Sequence, residues 1–184
     1  PMYFLLCNMS LCDLCLSSII SPTILLTFLA ERKNISYTAC AVQMFLCIIL
    51  GDVACLLLAV MAYDRYVAIC NPLLYTVTMS RQLCKQLVAG VYTVGLVDSV
   101  IHTCFTFRLS FCSSNIIRHF FCDISPMLAL SCSDTRNNQI LMFAFIDCMT
   151  GIGFVTVLIS YVYIISSILQ IPSARGRCKA FSTC

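Results

Sequence analysis

The sequence predicts an all-α, multi-pass transmembrane helix bundle, and three observations carry that prediction. Of 184 residues, 60% are hydrophobic and only 10% charged, which leaves too little polar surface to coat a water-soluble domain of this size. Four apolar runs, approximately 3–29, 40–69, 83–107 and 140–169, reach the roughly 20 residues a helix needs to cross about 30 Å of hydrocarbon. None of the runs alternates with period two, so helices rather than barrel strands must satisfy the backbone inside lipid.

The first run carries Ser10, Asp13, Ser17 and Ser21 at intervals of three and four. That spacing puts them on one helix face, expected to point into a bundle rather than at lipid, with Asp13 as an intramembrane polar site. Pro22 is expected to kink this helix. The second run has a strip of small residues, Cys47, Gly51, Cys55, Ala59 and Ala62, that would let neighbouring helices approach closely. Asp52 lies at the edge of the strip and is expected either to face a ligand cavity or to act as a buried structural carboxylate. This run ends in MAYDRYVAIC, where Asp64 and Arg65 stand together shortly before Asn71-Pro72. An arginine beside an aspartate at a membrane face reads as a charge clasp, since an unpaired charge there is costly. In the third run Asp98 and His102 are four apart and share a helix face, so they can satisfy one another. The fourth run holds a further acid, Asp147, with Phe145, Ile146 and Met149 around it.

Orientation is less strongly written than span number. With the Asp64-Arg65 end cytoplasmic, that side carries Arg65, Arg81, Lys85, Arg175, Arg177 and Lys179, against Arg32, Lys33, Arg108, Arg118 and Arg136 outside. The bias improves when the long outer loop 108–136 is set aside, because long loops obey the positive-inside rule poorly. That loop contains Cys112, Cys122 and Cys132, and Cys40 opens the second span on the same side. Four cysteines in a disulfide-permissive compartment allow three pairings. The other cysteines lie in or beside the spans as small apolar fillers, without metal-ligand spacing. No nucleophile elbow, HExxH, P-loop or paired-carboxylate motif occurs, so no enzyme, metal or cofactor is expected. The net charge of +3 is scattered and gives no footprint for nucleic acid.

Several motifs together give the chain a family likeness: PMYFLL at 1–6, LCDLC at 11–15, MAYDRYVAICNPLLY at 61–75, LSFC at 109–112, HFFCD at 119–123, LSCSDT at 130–135, SY at 160–161 and KAFSTC at 179–184. On these the chain resembles the vertebrate olfactory (odorant) receptors of the rhodopsin-like, seven-helix, G-protein-coupled class over essentially its whole length. The resemblance implies a partial seven-helix G-protein-coupled receptor, with spans two to five, the loops between them including a cytoplasmic loop at 171–178, and the start of span six. It implies a small volatile odorant as ligand, a heterotrimeric G protein of the olfactory Gα type as partner, membrane lipid around the spans and a plasma-membrane location. It further implies a switch and coupling region at Asp64, Arg65, Tyr66, Tyr161 and Lys179, with Asp64 holding Arg65 at rest. The pocket would be lined by Cys47, Ile48, Gly51, Asp52, Phe145, Ile146 and Met149. Asp13 would correspond to the intramembrane carboxylate of the wider class. Cys40 would pair with Cys122, and Cys112 with Cys132. The sequence departs from the family at Ala54, where a second acid often follows the Gly-Asp pair. The competing reading is a segment of a polytopic channel or transporter, with Asp13, Asp52 and Asp147 lining an ion path.

Overall fold

The computed structural model describes residues 2–29, 37–109, 122, 124–129, 131–132 and 134–170. Among these described residues six helices follow in order: α1 (Met2–Leu29), α2 (Tyr37–Cys70), α3 (Tyr75–Thr78), α4 (Arg81–Phe107), α5 (Ile124–Ala129) and α6 (Arg136–Leu169). Helices α1, α2, α4 and α6 are long and apolar enough to cross a membrane. At 1.5 Å per residue the 34 residues of α2 and of α6 each span about 51 Å, so both project beyond a hydrocarbon layer of about 30 Å.

Helix ends follow local chemistry. The Asn71 amide still reaches the Val67 carbonyl at 3.0 Å, and Pro72, which has no amide hydrogen, stops α2 there. Ser80, in an extended conformation, caps α4 by accepting the Leu83 amide at 3.2 Å. Inside the spans, Ser18, Thr93 and Thr156 return their hydroxyls to the carbonyls of Leu14, Ala89 and Ile152, which lets exposed polar side chains sit in lipid without an unmet donor. Helix α1 runs unbroken through Pro22.

Helix α2 is the hub, packed against α6, α4 and α1. Leu5 and Cys12 of α1, Val53 and Leu57 of α2, and Val88 and Val91 of α4 form the central core. Toward one end, Met44, Ile124, Leu128 and Met142 join α2, α5 and α6. At the other end Val67, Met79 and Cys84 are buried, with Tyr66, Tyr75 and Leu83 against them. Much apolar surface faces outward, including Leu14, Leu58, Phe154 and Val162, as a lipid-solvated bundle requires and an aqueous one would not tolerate.

The small-residue strip of α2 is used only in part: Cys55 lies under Gly153 of α6, and Ala59 and Ala62 are buried. Gly51 is exposed, with open space where a Cβ would stand. The partner helices supply the glycines instead. A Cβ on Gly95 of α4 would meet the Ile49 carbonyl oxygen and Val53 Cγ2 at 3.2 Å each, and one on Gly153 of α6 would lie 3.6 Å from the Cys55 carbonyl oxygen. The α1 stripe also differs from expectation: Ser10, Asp13, Ser17 and Ser21 are all exposed. The reason is that α1 turns its Leu5, Met9 and Cys12 face to α2 and α4, with Cys12 Sγ 3.3 Å from the Tyr92 hydroxyl.

Candidate functional site

Cys40, at the start of α2, is disulfide-bonded to Cys122 across a sequence separation of 82, with the Cα atoms 5.4 Å apart. The bond packs against Met127 and Phe107, and the Tyr37 hydroxyl donates to the Phe107 carbonyl at 3.1 Å, so α2, α4 and the loop are tied at one end. Cys132 is disulfide-bonded as well, while Cys112 lies outside the described residues. A disulfide needs an oxidising compartment, which makes this the outer end of the bundle and the α2–α4 turn its cytoplasmic end.

Halfway along α2 a polar cluster bridges three helices. Asp52 stands within hydrogen-bonding reach of Asp98 on α4. Asp98 in turn lies 3.5 Å from His102 Nε2, both side chains being almost fully buried. The His102 ring meets Phe145 of α6 edge to face, with centroids 5.5 Å apart and planes at 86°. Asp52 Oδ2 and Asp98 Oδ1 are buried without a hydrogen-bond partner among the described residues. Two facing carboxyls in a medium of low dielectric are costly unless a proton or a cation lies between them. Gly95 makes the pairing geometric: its missing side chain lets α4 settle on Ile49–Val53, one turn from Asp98.

Of the residues assigned to a pocket, the structure brings Asp52 and Phe145 to this cluster. Ile48 packs in the neighbouring outer core and Cys47 and Met149 are half-buried nearby on their helices. Gly51, Ile146 and Asp147 are exposed. The α6 end of the cluster is held by Asn138, whose Nδ2 donates to the Phe105 carbonyl at 3.0 Å.

At the cytoplasmic end Asp64 is 1% exposed and accepts a hydrogen bond from the Tyr75 hydroxyl at 3.0 Å. Tyr75 sits on α3, outside the spans, packed on the Val67, Met79 and Cys84 core. Burial, then the bond to Asp64 and its charge, push the Tyr75 hydroxyl up to about 12, so it stays a donor at any physiological pH. Arg65 is half-buried beside Asp64. Tyr66 stacks edge-on against Tyr163 of α6 at 5.7 Å. One turn on, Cys70 Sγ lies 3.1 Å from Ser167 Oγ and 3.8 Å from the Tyr163 carbonyl, joining the inner ends of α2 and α6. Tyr161 is exposed, and Lys179 lies outside the described residues.

Sequence reasoning missed Tyr75, Tyr163 and the Asp52–Asp98 pairing. Tyr75 was within reach, since a donor eleven residues past a buried acid, across a Pro-stopped helix end, is where a turn returns the chain. The two others depend on helix rotation, which local pattern does not encode.

A sequence profile of the family described as "Olfactory receptor" matches residues 1–184. Mouse Olfactory receptor 5G9 is 51% identical over 184 residues, human Olfactory receptor 5W2 is 53% identical over 187, and canine Olfactory receptor-like protein OLF1 is 49% identical over 184. Each match covers 100% of this chain and 59% of the relative, so the chain spans about three fifths of their length. Four apolar membrane helices agree with a multi-pass protein of the plasma membrane. A match along every residue, at about half identity to several separate receptors, leaves one assignment: this chain belongs to the olfactory receptor family.

Proposed function

We propose that this chain forms the central part of an odorant-activated, G-protein-coupled receptor rather than an enzyme or a transport segment. The observation that carries the reading is that one continuous helix, α2, holds both functional ends: Asp52 at mid-membrane and Asp64-Arg65 at the cytoplasmic face, twelve residues apart. At 1.5 Å per residue that is about 18 Å of rigid connection. A ligand that repositions α2 against α4 and α6 therefore acts on the latch below it.

In this reading Cys47, Ile48, Gly51, Asp52, Phe145, Ile146 and Met149 contribute to the ligand cavity, and the Cys40–Cys122 bond holds the outer loop over it. A volatile ligand of about ten heavy atoms, at roughly 0.5–0.8 kcal/mol per atom, binds with about 5–8 kcal/mol, an affinity from roughly 100 μM to 1 μM. Signalling requires that the ligand prefer the active arrangement, and that difference in affinity sets how far the population moves. Asp64, with Tyr75, holds the resting end closed. Arg65, Tyr66, Tyr161 and Lys179 form the surface that meets an olfactory-type Gα. The exposed Asp13 stripe faces further helices of the complete receptor, since a carboxylate left to lipid is expensive.

The test is a cyclic-AMP assay in cells expressing a chimaera in which this chain replaces the matching segment of a full-length relative. Screened against an odorant panel, the chimaera responds to a subset, and Arg65→Ala abolishes the response at unchanged surface expression. Odorant-independent ion current through the chimaera would support the transport reading instead.

A further inference from the structure

A cleft of about 320 Å³ opens between the cytoplasmic ends of α1 and α4, lined among the described residues by Phe4, Arg81, Cys84 and Lys85. It lies at the end opposite the Cys40–Cys122 bond and therefore at the inner face of the membrane. Arg81 and Lys85 stand one helical turn apart on α4, both exposed, on the same side of the helix. Phe4 is 41% exposed and Cys84 is buried, so the floor of the cleft is apolar while its rim is cationic. No acid is among these lining residues.

A cleft on the lipid-facing side of a bundle does not stand empty in a bilayer, because hydrocarbon or a headgroup fills it. What remains open is which headgroup, and the charges decide that. Two like cations at adjacent turns repel one another, and Arg81 also opposes the positive end of the α4 dipole. Both penalties reverse sign when a phosphate sits between the cations. The Lys85 ammonium, about 6 Å deeper than Arg81 along the axis, snorkels back to the same level. An acyl chain then lies along Phe4 and Cys84.

From this juxtaposition we propose that the α1–α4 cleft is a binding site for an anionic phospholipid of the inner leaflet, its phosphate held by Arg81 and Lys85. The site tethers the start of α4, and with it α3 and Tyr75, to the membrane surface. The inner-leaflet orientation rests on the Cys40–Cys122 bond, and the role of the tethered latch rests on the receptor reading above. The binding itself does not.

The test uses the chimaera purified into nanodiscs of phosphatidylcholine alone, or with phosphatidylserine or phosphatidylinositol bisphosphate, read by native mass spectrometry and by melting temperature. Both leaflets are the same in a nanodisc, and neither odorant nor G protein is needed, so failure of the receptor reading leaves this result untouched. Anionic lipid is retained in preference to phosphatidylcholine. Arg81→Gln/Lys85→Gln weakens that retention on the order of tenfold to thirtyfold, about fivefold per cation, whereas Arg136→Gln at the outer end does not. High salt reduces the preference in the parent and not in the double variant. Equal retention of all headgroups, or a preference that survives the double substitution, would overturn the proposal. So would soluble inositol phosphate binding as well as the lipid, since the apolar floor would then contribute nothing.

Discussion

Tyr75→Phe is the most selective perturbation of the cytoplasmic latch. Phenylalanine keeps the ring that packs on Val67, Met79 and Cys84 and removes only the hydroxyl that donates to Asp64 at 3.0 Å. Asp64 is 1% exposed, so water does not replace the lost donor freely. A hydrogen bond to a charged group contributes roughly 1.5–3 kcal/mol, which is a factor of about 10 to 150 in an equilibrium constant. Two readouts follow. The melting temperature of the purified chimaera falls by roughly 3–12 °C, taking about 2–4 °C per kcal/mol. Basal cyclic-AMP rises, because the bond belongs to the resting arrangement. A double-mutant cycle with Asp64→Asn isolates the pair: the two substitutions together cost less than their sum. The sign of the pH dependence is fixed as well. The Tyr75 hydroxyl titrates near 12, above the ordinary 10, so its contribution is complete below about pH 10 and disappears as pH rises through about 12. Strict additivity in the cycle, or unchanged melting and unchanged basal signal, would refute the latch.

Three further outcomes are expected. Cys40→Ser opens a loop closed over 82 residues, which on the chain-entropy relation costs up to about 4.5 kcal/mol, seen as loss of surface expression or a large drop in melting temperature. Gly95→Ala destabilises by about 1 kcal/mol, because its Cβ would press on the Ile49 carbonyl oxygen at 3.2 Å, whereas Gly51→Ala, with open space around it, gains up to about 1 kcal/mol of helix propensity; equal effects in a thermal-shift assay would contradict the α2–α4 contact. Asp52→Asn supplies an amide donor toward the facing Asp98 carboxyl and raises stability by about 1 kcal/mol, so a lower melting temperature would mean that the two carboxyls do not face each other.

The sequence made the spans legible because lipid imposes one rule over 20 or more residues at once, and α2 could hardly have been anything else. The disulfide between Cys40 and Cys122 was legible only through family likeness, since three pairings were open on the residues alone. What escaped was rotation. Asp13 and Gly51 each sit on a helix that is apolar almost all round, so hydrophobicity does not say which face turns inward, and small residues were the remaining guide. That guide pointed to α2, where Cys55, Ala59 and Ala62 are packed but Gly51 is open. The close contacts are made by Gly95 and Gly153 on the helices that pack against it. In water, burial orients a helix by its apolar stripe; in lipid, it is oriented by where backbone can approach backbone and where polar groups find company. On that account the exposed Asp13 and the half-buried Asp52 differ because their neighbours differ. Asp52 has Asp98 across a glycine contact, while α1 turns Leu5, Met9 and Cys12 to the core and carries Asp13 to an exposed side without a polar partner among the described residues.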